Sequence, residues 1–186
     1  QGMLPMCYPS DHVNGNFIPN WAMWFVIELE EYLARSNDRQ MIKALEPKVN
    51  ALLDYFARYE NEDELLENLE KWVFVEWSKA NDFVQDVNYP TNMLYARMLK
   101  VAGKLYNRPD LQQKAQRIHE TIRKQAFDGT FFIDNAVRVD GDLVPQPKNR
   151  TETCQYYAFF LGTASPERYP KLWNILCSDF GPQRKQ

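Results

Sequence analysis

Three pairs of helices are predicted along this sequence, and they restrict the folds that it can adopt. Apolar residues at three- and four-residue spacing predict one helix from Pro19 and a second from Asp38, with a kink at Pro47. The same spacing predicts a third helix from about Pro90 and a fourth that runs to about Ala126. Because the connections within each pair are only a few residues long, its two helices must run antiparallel as a hairpin.

A third hairpin is predicted near the end of the sequence. Its first helix begins with Asn149 or Thr151 as N-cap, carries Glu152 in its first turn and breaks near Ala164. Its second helix ends near Gly181. The three hairpins therefore repeat about every 65 residues.

Long connections precede or separate the hairpins, at residues 1–18, 59–89 and 127–150. Since the chain always passes between hairpins at the same end, these loops should lie together above the N-termini of the first, third and fifth helices. Those helices are the more aromatic and less charged members of their pairs, so we expect them to form an inner row. The sequence thus predicts an all-α fold, an α/α toroid of helical hairpins that spans 1–186 as one unit and makes about half of a six-hairpin barrel.

Two of the long connections contain segments for which the sequence predicts local structure. Alternating residues and Asp-Gly turn signals predict a short β excursion near 129–145, and the acidic segment 59–66 is expected to be a solvated turn. A half ring would also leave apolar helix surface uncovered at its open edge, which would favour self-association.

The composition argues against several classes of function. A net charge of −3 without a basic tract argues against nucleic-acid binding, and no apolar run is long enough to cross a membrane. The three cysteines and two histidines lack the spacing of a metal site. We therefore expect buried free thiols, an exposed helical His119 and no metal or cofactor, with calcium in the acidic loops left open.

The stretch between 71 and 92, KWVFVEWSKANDFVQDVNYPTN, carries two tryptophans but fits neither a helix nor a strand. Indole rings can stack on the apolar face of a sugar while carboxylates and amides bind its hydroxyl groups. A loop that plugs the helical core with its aromatic residues is the more common structure for such a segment. The residues that would serve a sugar site are Trp72, Glu76, Trp77, Asn81, Asp82 and Asp86.

Three long segments of the chain resemble the middle of the catalytic domain of bacterial α-L-rhamnosidases, glycoside hydrolase family 78. They are GMLPMCYPSDHVNGNFIPNWAMWFVIELEEYL, KWVFVEWSKANDFVQDVNYPTNMLYARML and TETCQYYAFFLGTA. The resemblance implies a six-hairpin toroid that hydrolyses terminal α-L-rhamnosyl residues with inversion. Such enzymes use an acid and a base carboxylate roughly 6.5–9.5 Å apart.

The resemblance also indicates which parts of the catalytic site lie elsewhere. The family's acid Glu belongs to an acidic, Arg-containing motif that precedes these segments, and its base Glu belongs to a later Trp-Glu motif. Neither motif occurs in 1–186, where Glu76 and Trp77 stand in the opposite order. Both catalytic carboxylates are therefore expected outside the chain.

The resemblance also indicates which residues of this chain form the wall of the sugar pocket. Trp21 and Trp77 match family tryptophans that contact the sugar, and Glu76 replaces the family's usual Asp. Weaker candidates on the same loop face, which capping or loop hydrogen bonds would also explain, are Asn20, Asp11, Asn81, Asp82 and Glu152. Thr151, Thr153 and Gln155 receive no role.

Two alternatives remain open at this point. The chain could be an enzyme by itself, with Glu76 and Asp82 or Asp86 and Glu152 as its acid and base. It could instead be a helical carbohydrate-binding or scaffold module without catalysis. If the resemblance holds, the partner is a rhamnose-containing glycoside or polysaccharide, and the location is periplasmic or extracellular, with the cytoplasm left open.

Overall fold

The computed structural model describes residues 2–7 and 15–181, and in this part the chain forms six α-helices and a three-stranded sheet. A 3-10 helix, Lys79–Phe83, lies between the second and third α-helices. The helices are α1 Pro19–Ser36, α2 Arg39–Ala57, α3 Tyr89–Leu105, α4 Pro109–Ala126, α5 Glu152–Phe160 and α6 Pro170–Ser178. The strands are β1 Val87–Asn88, β2 Asn135–Val139 and β3 Asp142–Pro145.

Local side-chain caps define where several helices begin. The Asp38 carboxylate accepts a hydrogen bond from the Met41 N–H at 2.9 Å and caps α2. Asn88 caps α3 in the same way, and Thr151 caps α5 as the sequence predicts. Helix α2 continues through Pro47 without a break, and the kink there stays a prediction.

Helix α3 is the centre of the packing. It contacts α1, α4 and α5, and nearly all of its residues from Tyr89 to Gly103 are buried. Helices α2 and α4 bury only one face each. The more aromatic helices α1, α3 and α5 therefore form the inner row, and the prediction of an α/α toroid of helical hairpins is confirmed.

The long loops meet on one side of the molecule. The Trp72 N–H donates to the Phe17 carbonyl at 3.4 Å, which joins the second long loop to the first. Strand β1 in the second loop pairs antiparallel with β2 in the third, with Val87 opposite Ala136. These contacts confirm that the loops gather over one rim.

The β excursion near 129–145 is also confirmed. Strands β2 and β3 form an antiparallel hairpin whose turn holds Asp140 and Gly141 at positive φ. The sequence did not predict β1, which extends this hairpin to three strands in the order β1-β2-β3.

The prediction of a solvated turn at 59–66 holds only in part, since 62–63 form a turn with Glu62 exposed but the end of the segment is buried. Leu65 and Leu66 are buried in the main core, and the Leu66 N–H donates to Asn92 of α3 at 2.6 Å. The acidic side chains are engaged as well, since Glu64 accepts two hydrogen bonds from Arg117 at 2.8 Å. The apolar pair therefore anchors a segment whose charge alone suggested exposure.

His119 is buried, which contradicts its prediction as an exposed helical residue. Its Nδ1 lies 2.9 Å from the Thr163 hydroxyl, and Arg123 donates to the Thr163 carbonyl at 3.1 Å. Burial, together with nearby cationic side chains, lowers the pKa of His119 to about 4. The histidine thus helps to attach α4 to the loop between α5 and α6.

Three smaller expectations need correction. Cys154 is buried as predicted, but Cys7 and Cys177 are exposed. Helix α5 ends at Phe160, short of the predicted break near Ala164, and α6 ends at Ser178 rather than near Gly181. Among the described residues, no helix combines the length and apolar character needed to span a bilayer.

Candidate functional site

A cavity of about 340 Å³, called the aromatic cavity below, opens where α1, α5 and the loop 72–78 meet. Seven of its eight lining residues are apolar or aromatic and one is a carboxylate. They are Trp21, Trp24, Phe74, Val75, Glu76, Tyr156, Tyr157 and Phe160. Such a surface suits a ligand with an apolar face and a few hydroxyl groups.

The helical period brings the α1 side of the cavity together. Trp21 and Trp24 are three residues apart and so lie on the same face of α1. The Trp21 ring meets Phe74 edge-on at 6.3 Å, and the Trp24 ring meets Tyr157 edge-on at 6.3 Å. Trp21 nevertheless keeps 43% of its surface exposed, which leaves its ring accessible to a ligand.

Asn20 fixes the loop that forms the second side of the cavity. Its side-chain oxygen accepts a hydrogen bond from the Phe74 N–H at 3.1 Å, and its amide donates to the Thr91 hydroxyl at 3.0 Å. Asn20 is completely buried. The structure therefore places this candidate behind the cavity wall, where it joins α1, the loop and α3.

Asn81 supports the same loop from the other side. Its side-chain oxygen accepts from the Val75 N–H at 2.8 Å, and its amide donates to the Glu76 carbonyl at 2.6 Å. The Tyr157 hydroxyl donates to the Val75 carbonyl at 2.7 Å. Burial and the nearby Glu76 raise the pKa of Tyr157 to about 12, so the phenol remains a donor at neutral pH.

Trp77 lies on the outer side of Phe74 rather than in the cavity lining. Its ring centroid is 5.0 Å from that of Phe74 and 5.9 Å from that of Trp72. It is 78% exposed. Because Trp21 and Trp77 both contact Phe74, the two predicted indoles lie on one rim, with Trp21 in the cavity and Trp77 on the surface beside it.

Glu76 is the carboxylate of the cavity lining. Its Oε1 accepts a hydrogen bond from the N–H of the adjacent Trp77 at 2.7 Å. Glu76 is exposed to solvent as well as lining the cavity. The structure thus brings together Trp21, Glu76 and Trp77 from the predicted set.

The other predicted residues lie elsewhere. Asp82 is exposed on the 3-10 helix, and Asp11 lies outside the described residues. Asp86 is held by β2, since its carboxylate accepts from the Arg138 N–H at 2.7 Å. Glu152 lines a separate cavity of about 220 Å³ at the start of α5.

Several site residues were not singled out from the sequence. Trp24, Tyr156, Tyr157 and Phe160 carry the helical spacing that also marks a buried core, and the sequence predicts only that they face inward. A cluster of aromatic residues on two inner helices, directly below a tryptophan-rich loop, is the signal that could have identified them.

Residues given no role in sugar binding from the sequence prove to support α5. The Thr153 hydroxyl lies 3.1 Å from that of Ser78, and Gln155 exchanges hydrogen bonds with the backbone of Phe132. The buried Asp134 carboxylate accepts from both the N–H and the hydroxyl of Thr151 at 2.7 Å. Desolvation raises the pKa of Asp134 to about 6, against the lowering effect of these hydrogen bonds.

Acidic, cysteine and histidine side chains do not gather into a metal-binding group anywhere in 2–7 or 15–181. The residues that line the aromatic cavity offer aromatic rings for stacking and one carboxylate charge.

Comparisons with known proteins agree with this architecture. The family model for the bacterial alpha-L-rhamnosidase 6 hairpin glycosidase domain matches residues 1–176. No curated protein sequence shows significant similarity to the chain.

Two solved structures share the fold. The GH78 family rhamnosidase of Bacillus sp. GL1 is 20% identical in sequence, with a TM-score of 0.71. The match covers 91% of this chain and 18% of the Bacillus enzyme. The rhamnosidase from Klebsiella oxytoca with rhamnose bound is 14% identical in sequence, with a TM-score of 0.74. The match covers 97% of this chain and 35% of the Klebsiella enzyme. The chain thus spans 18% of the length of the first enzyme and 35% of the length of the second.

The family match covers nearly the whole sequence, including the three segments that suggested the resemblance, and confirms that resemblance. The chain belongs to the family of bacterial α-L-rhamnosidase six-hairpin glycosidase domains.

Proposed function

We propose that this chain supplies part of the rhamnose-binding pocket of an inverting α-L-rhamnosidase, which removes terminal α-L-rhamnose from glycosides or polysaccharides. The aromatic cavity is the observation that carries this proposal, because it combines accessible rings with one carboxylate at the rim where the long loops meet. Membership of the rhamnosidase-domain family supports the substrate class.

The residues of the rim have distinct roles in this proposal. Trp21 stacks on the apolar face of the rhamnose. The methyl group of the rhamnose packs among the surrounding aromatic rings. Glu76 accepts hydrogen bonds from sugar hydroxyls. Trp77 extends the platform outward, while Asn20 and Asn81 position the loop without touching the sugar.

The catalytic acid and base are proposed to lie outside 1–186. Inversion requires two carboxylates on opposite faces of the sugar ring, roughly 6.5–9.5 Å apart. Glu76 is the sole carboxylate among the residues that line the aromatic cavity, so the cavity by itself does not hold an acid–base pair. The purified chain should therefore release no chromophore from an aryl α-L-rhamnoside above a buffer blank.

The rival hypothesis of an autonomous enzyme is tested by the same assay. Asp86 and Glu152 are poorly suited as a pair, because Asp86 is bonded to β2 and Glu152 lines another cavity. Activity that disappears in Glu76→Gln or Glu152→Gln would favour the autonomous enzyme. Without intrinsic activity, neither substitution can have an effect.

Sugar binding itself is tested by replacing single tryptophans with alanine, at the site and at a control position. Isothermal titration with methyl α-L-rhamnoside should show binding that Trp21→Ala abolishes and Trp77→Ala weakens. Trp173→Ala is the control, because Trp173 is 39% exposed, close to the 43% of Trp21, but packs against Phe159 on another side of α5. Equal losses in Trp21→Ala and Trp173→Ala would contradict the proposal.

A further inference from the structure

The start of α5 is held by segment 132–134 of the third long loop. Gln155 in α5 exchanges two hydrogen bonds with the backbone of Phe132, at 2.8 and 2.7 Å. The Asp134 carboxylate is completely buried and accepts from the N–H and the hydroxyl of Thr151, both at 2.7 Å. One side-chain amide and one carboxylate therefore hold this end of the helix, and of the two only the carboxylate can change its charge.

The position of Asp134 is itself fixed by its backbone. Its N–H donates to the Asn149 carbonyl at 2.8 Å, and its carbonyl accepts from the Tyr89 N–H at 2.8 Å. The Asn88 amide donates to the same carbonyl at 3.3 Å. Since Tyr89 begins α3, Asp134 joins the start of α5 to the start of the central helix of the packing.

Thr151 passes this connection on to α5. Its hydroxyl donates to Asp134 and accepts from the Cys154 N–H at 3.1 Å, so the N-cap of the helix is held in place by the carboxylate behind it. Tyr156 and Tyr157, which line the aromatic cavity, follow Thr151 by less than two helical turns. A displacement of Thr151 therefore reaches both rings.

We propose that Asp134 is a positioning residue for rhamnose binding, whose carboxylate sets the start of α5 and thereby the place of Tyr156 and Tyr157 in the aromatic cavity. Asp134 is buried behind Thr151 and acts without touching the sugar. This inference rests on the function proposed above, because it takes the aromatic cavity as the rhamnose site.

Protonation of Asp134 should loosen the start of α5. A carboxylate accepts from both donors of Thr151, whereas the hydroxyl of a neutral carboxylic acid is itself a donor, so one of the two hydrogen bonds is weakened. Burial raises the pKa of Asp134 to about 6, against the lowering effect of the Thr151 hydrogen bonds. Burying the charge opposes folding as a whole, yet within the folded protein the ionised form makes the firmer contact with Thr151.

Two buried titratable groups face Asp134 from the helices packed against it. Burial raises the pKa of the Cys154 thiol on α5 well above its ordinary value, and burial also raises the pKa of the Tyr89 phenol on α3. Both groups therefore stay neutral while Asp134 titrates. Arg150, which is held in an ion pair, and Glu152 are the charged residues on either side of Thr151.

The test is isothermal titration of the purified chain with methyl α-L-rhamnoside at several pH values. The affinity of the wild type should rise about three- to tenfold from about pH 5 to about pH 7.5, because ionised Asp134 holds Thr151 with one more hydrogen bond. Asp134→Asn should bind at every pH about as weakly as the wild type does at the lowest pH, because its amide has a single acceptor oxygen. By reciprocity, saturating sugar should lower the pKa of Asp134, measured from the NMR shift of its carboxyl carbon.

Asp128→Asn is the matched control and should keep the rise in affinity. Asp128 lies in the same loop, but its carboxylate accepts from the N–H groups of Thr130 and Phe131 rather than from α5. Thr151→Ser keeps both donors and should also keep the rise, whereas Thr151→Val lacks the hydroxyl and should reduce it. Urea denaturation at each pH verifies that every variant is folded during the titration.

A merely structural role would make Asp134→Asn less stable without removing the pH dependence of binding. If methyl rhamnoside binds the wild type equally at all pH values, or if Asp134→Asn keeps the rise, the positioning role is refuted and the proposed function stands. Loss of the rise in Asp128→Asn refutes the positioning role in the same way. If the wild type binds no methyl rhamnoside at any pH, the proposed function fails and this inference fails with it.

Discussion

The aromatic rim, where α1, α5 and the loop 72–78 meet, and the acidic segment 59–66 both differ from what their compositions suggest. Apolar residues suggest burial and charged residues suggest exposure, and each region shows the opposite. The rim is rich in large apolar side chains, yet Trp77 and Phe160 are among the most exposed of them. The acidic segment is rich in charge, yet Leu65 and Leu66 are buried and Glu60 and Glu64 pair with Lys114 and Arg117. The exposed aromatic surface of the rim supports the proposal that the ligand binds there, whereas the acidic segment serves the packing of the fold.

Replacing one residue from each region should give the clearest contrast. Leu66→Ala is expected to lower the free energy of unfolding by about 2–5 kcal/mol, because it opens a cavity in the core. Trp77→Ala removes a larger side chain but should cost less than about 0.5 kcal/mol, since most of that side chain is in water. Urea denaturation measures both, and equal losses would remove the distinction between the two regions.

Two buried ionisable groups should make stability depend on pH in opposite directions. The pKa of Asp134 is raised to about 6, so its ionisation destabilises the fold increasingly as the pH rises from 4 to 6. The pKa of His119 is lowered to about 4, so its protonation destabilises the fold increasingly as the pH falls from 6.5 to 4. The upper limits are about 3 kcal/mol for Asp134 and about 3.4 kcal/mol for His119.

Single variants separate these effects. Asp134→Asn should gain stability relative to the wild type as the pH rises from 4 to 7, because the unfavourable ionisation is absent. His119→Gln should become less stable relative to the wild type as the pH rises from 4 to 7. Only the wild type is stabilised when His119 loses its proton. Denaturation at several pH values gives both differences, and parallel pH profiles for all three proteins would refute the assignment.

Asn20→Ala should produce an intermediate effect that links stability to the rim. The substitution leaves the buried Phe74 N–H and Thr91 hydroxyl without their partner, which costs about 1–3 kcal/mol. Methyl rhamnoside binding should weaken as well, because Phe74 then loses its fixed position under Trp21 and Trp77. Loss of stability with unchanged binding would show that the loop position does not matter to the site.

The hairpins and the gathering of the loops were predictable, because both follow from local patterns. Pro19, Asp38 and Thr151 act at helix starts as their chemistry predicts. The family resemblance was also visible in long segments of the sequence. Strand β1 was not, because two residues carry no periodicity and become a strand only by pairing with β2.

The candidate site was predictable only in part. Trp21, Glu76 and Trp77 meet at the rim as expected, but Asn20 and Asn81 turned out to hold the loop from behind. Glu152 lines the separate, smaller cavity at the start of α5. Residue type predicts which groups can bind a hydroxyl, whereas the direction of each side chain depends on neighbours that the sequence does not specify.

The sequence by itself determined where the helices start, how they pair and which family the chain resembles, because these follow from spacing and caps within a few residues. Only the tertiary structure decided which aromatic rings stay accessible. That choice depends on hydrogen bonds such as Asn20 to Phe74 and Tyr157 to Val75, which join residues 54 and 82 positions apart. Contacts over such distances depend on how the helices pack, and no local pattern encodes them.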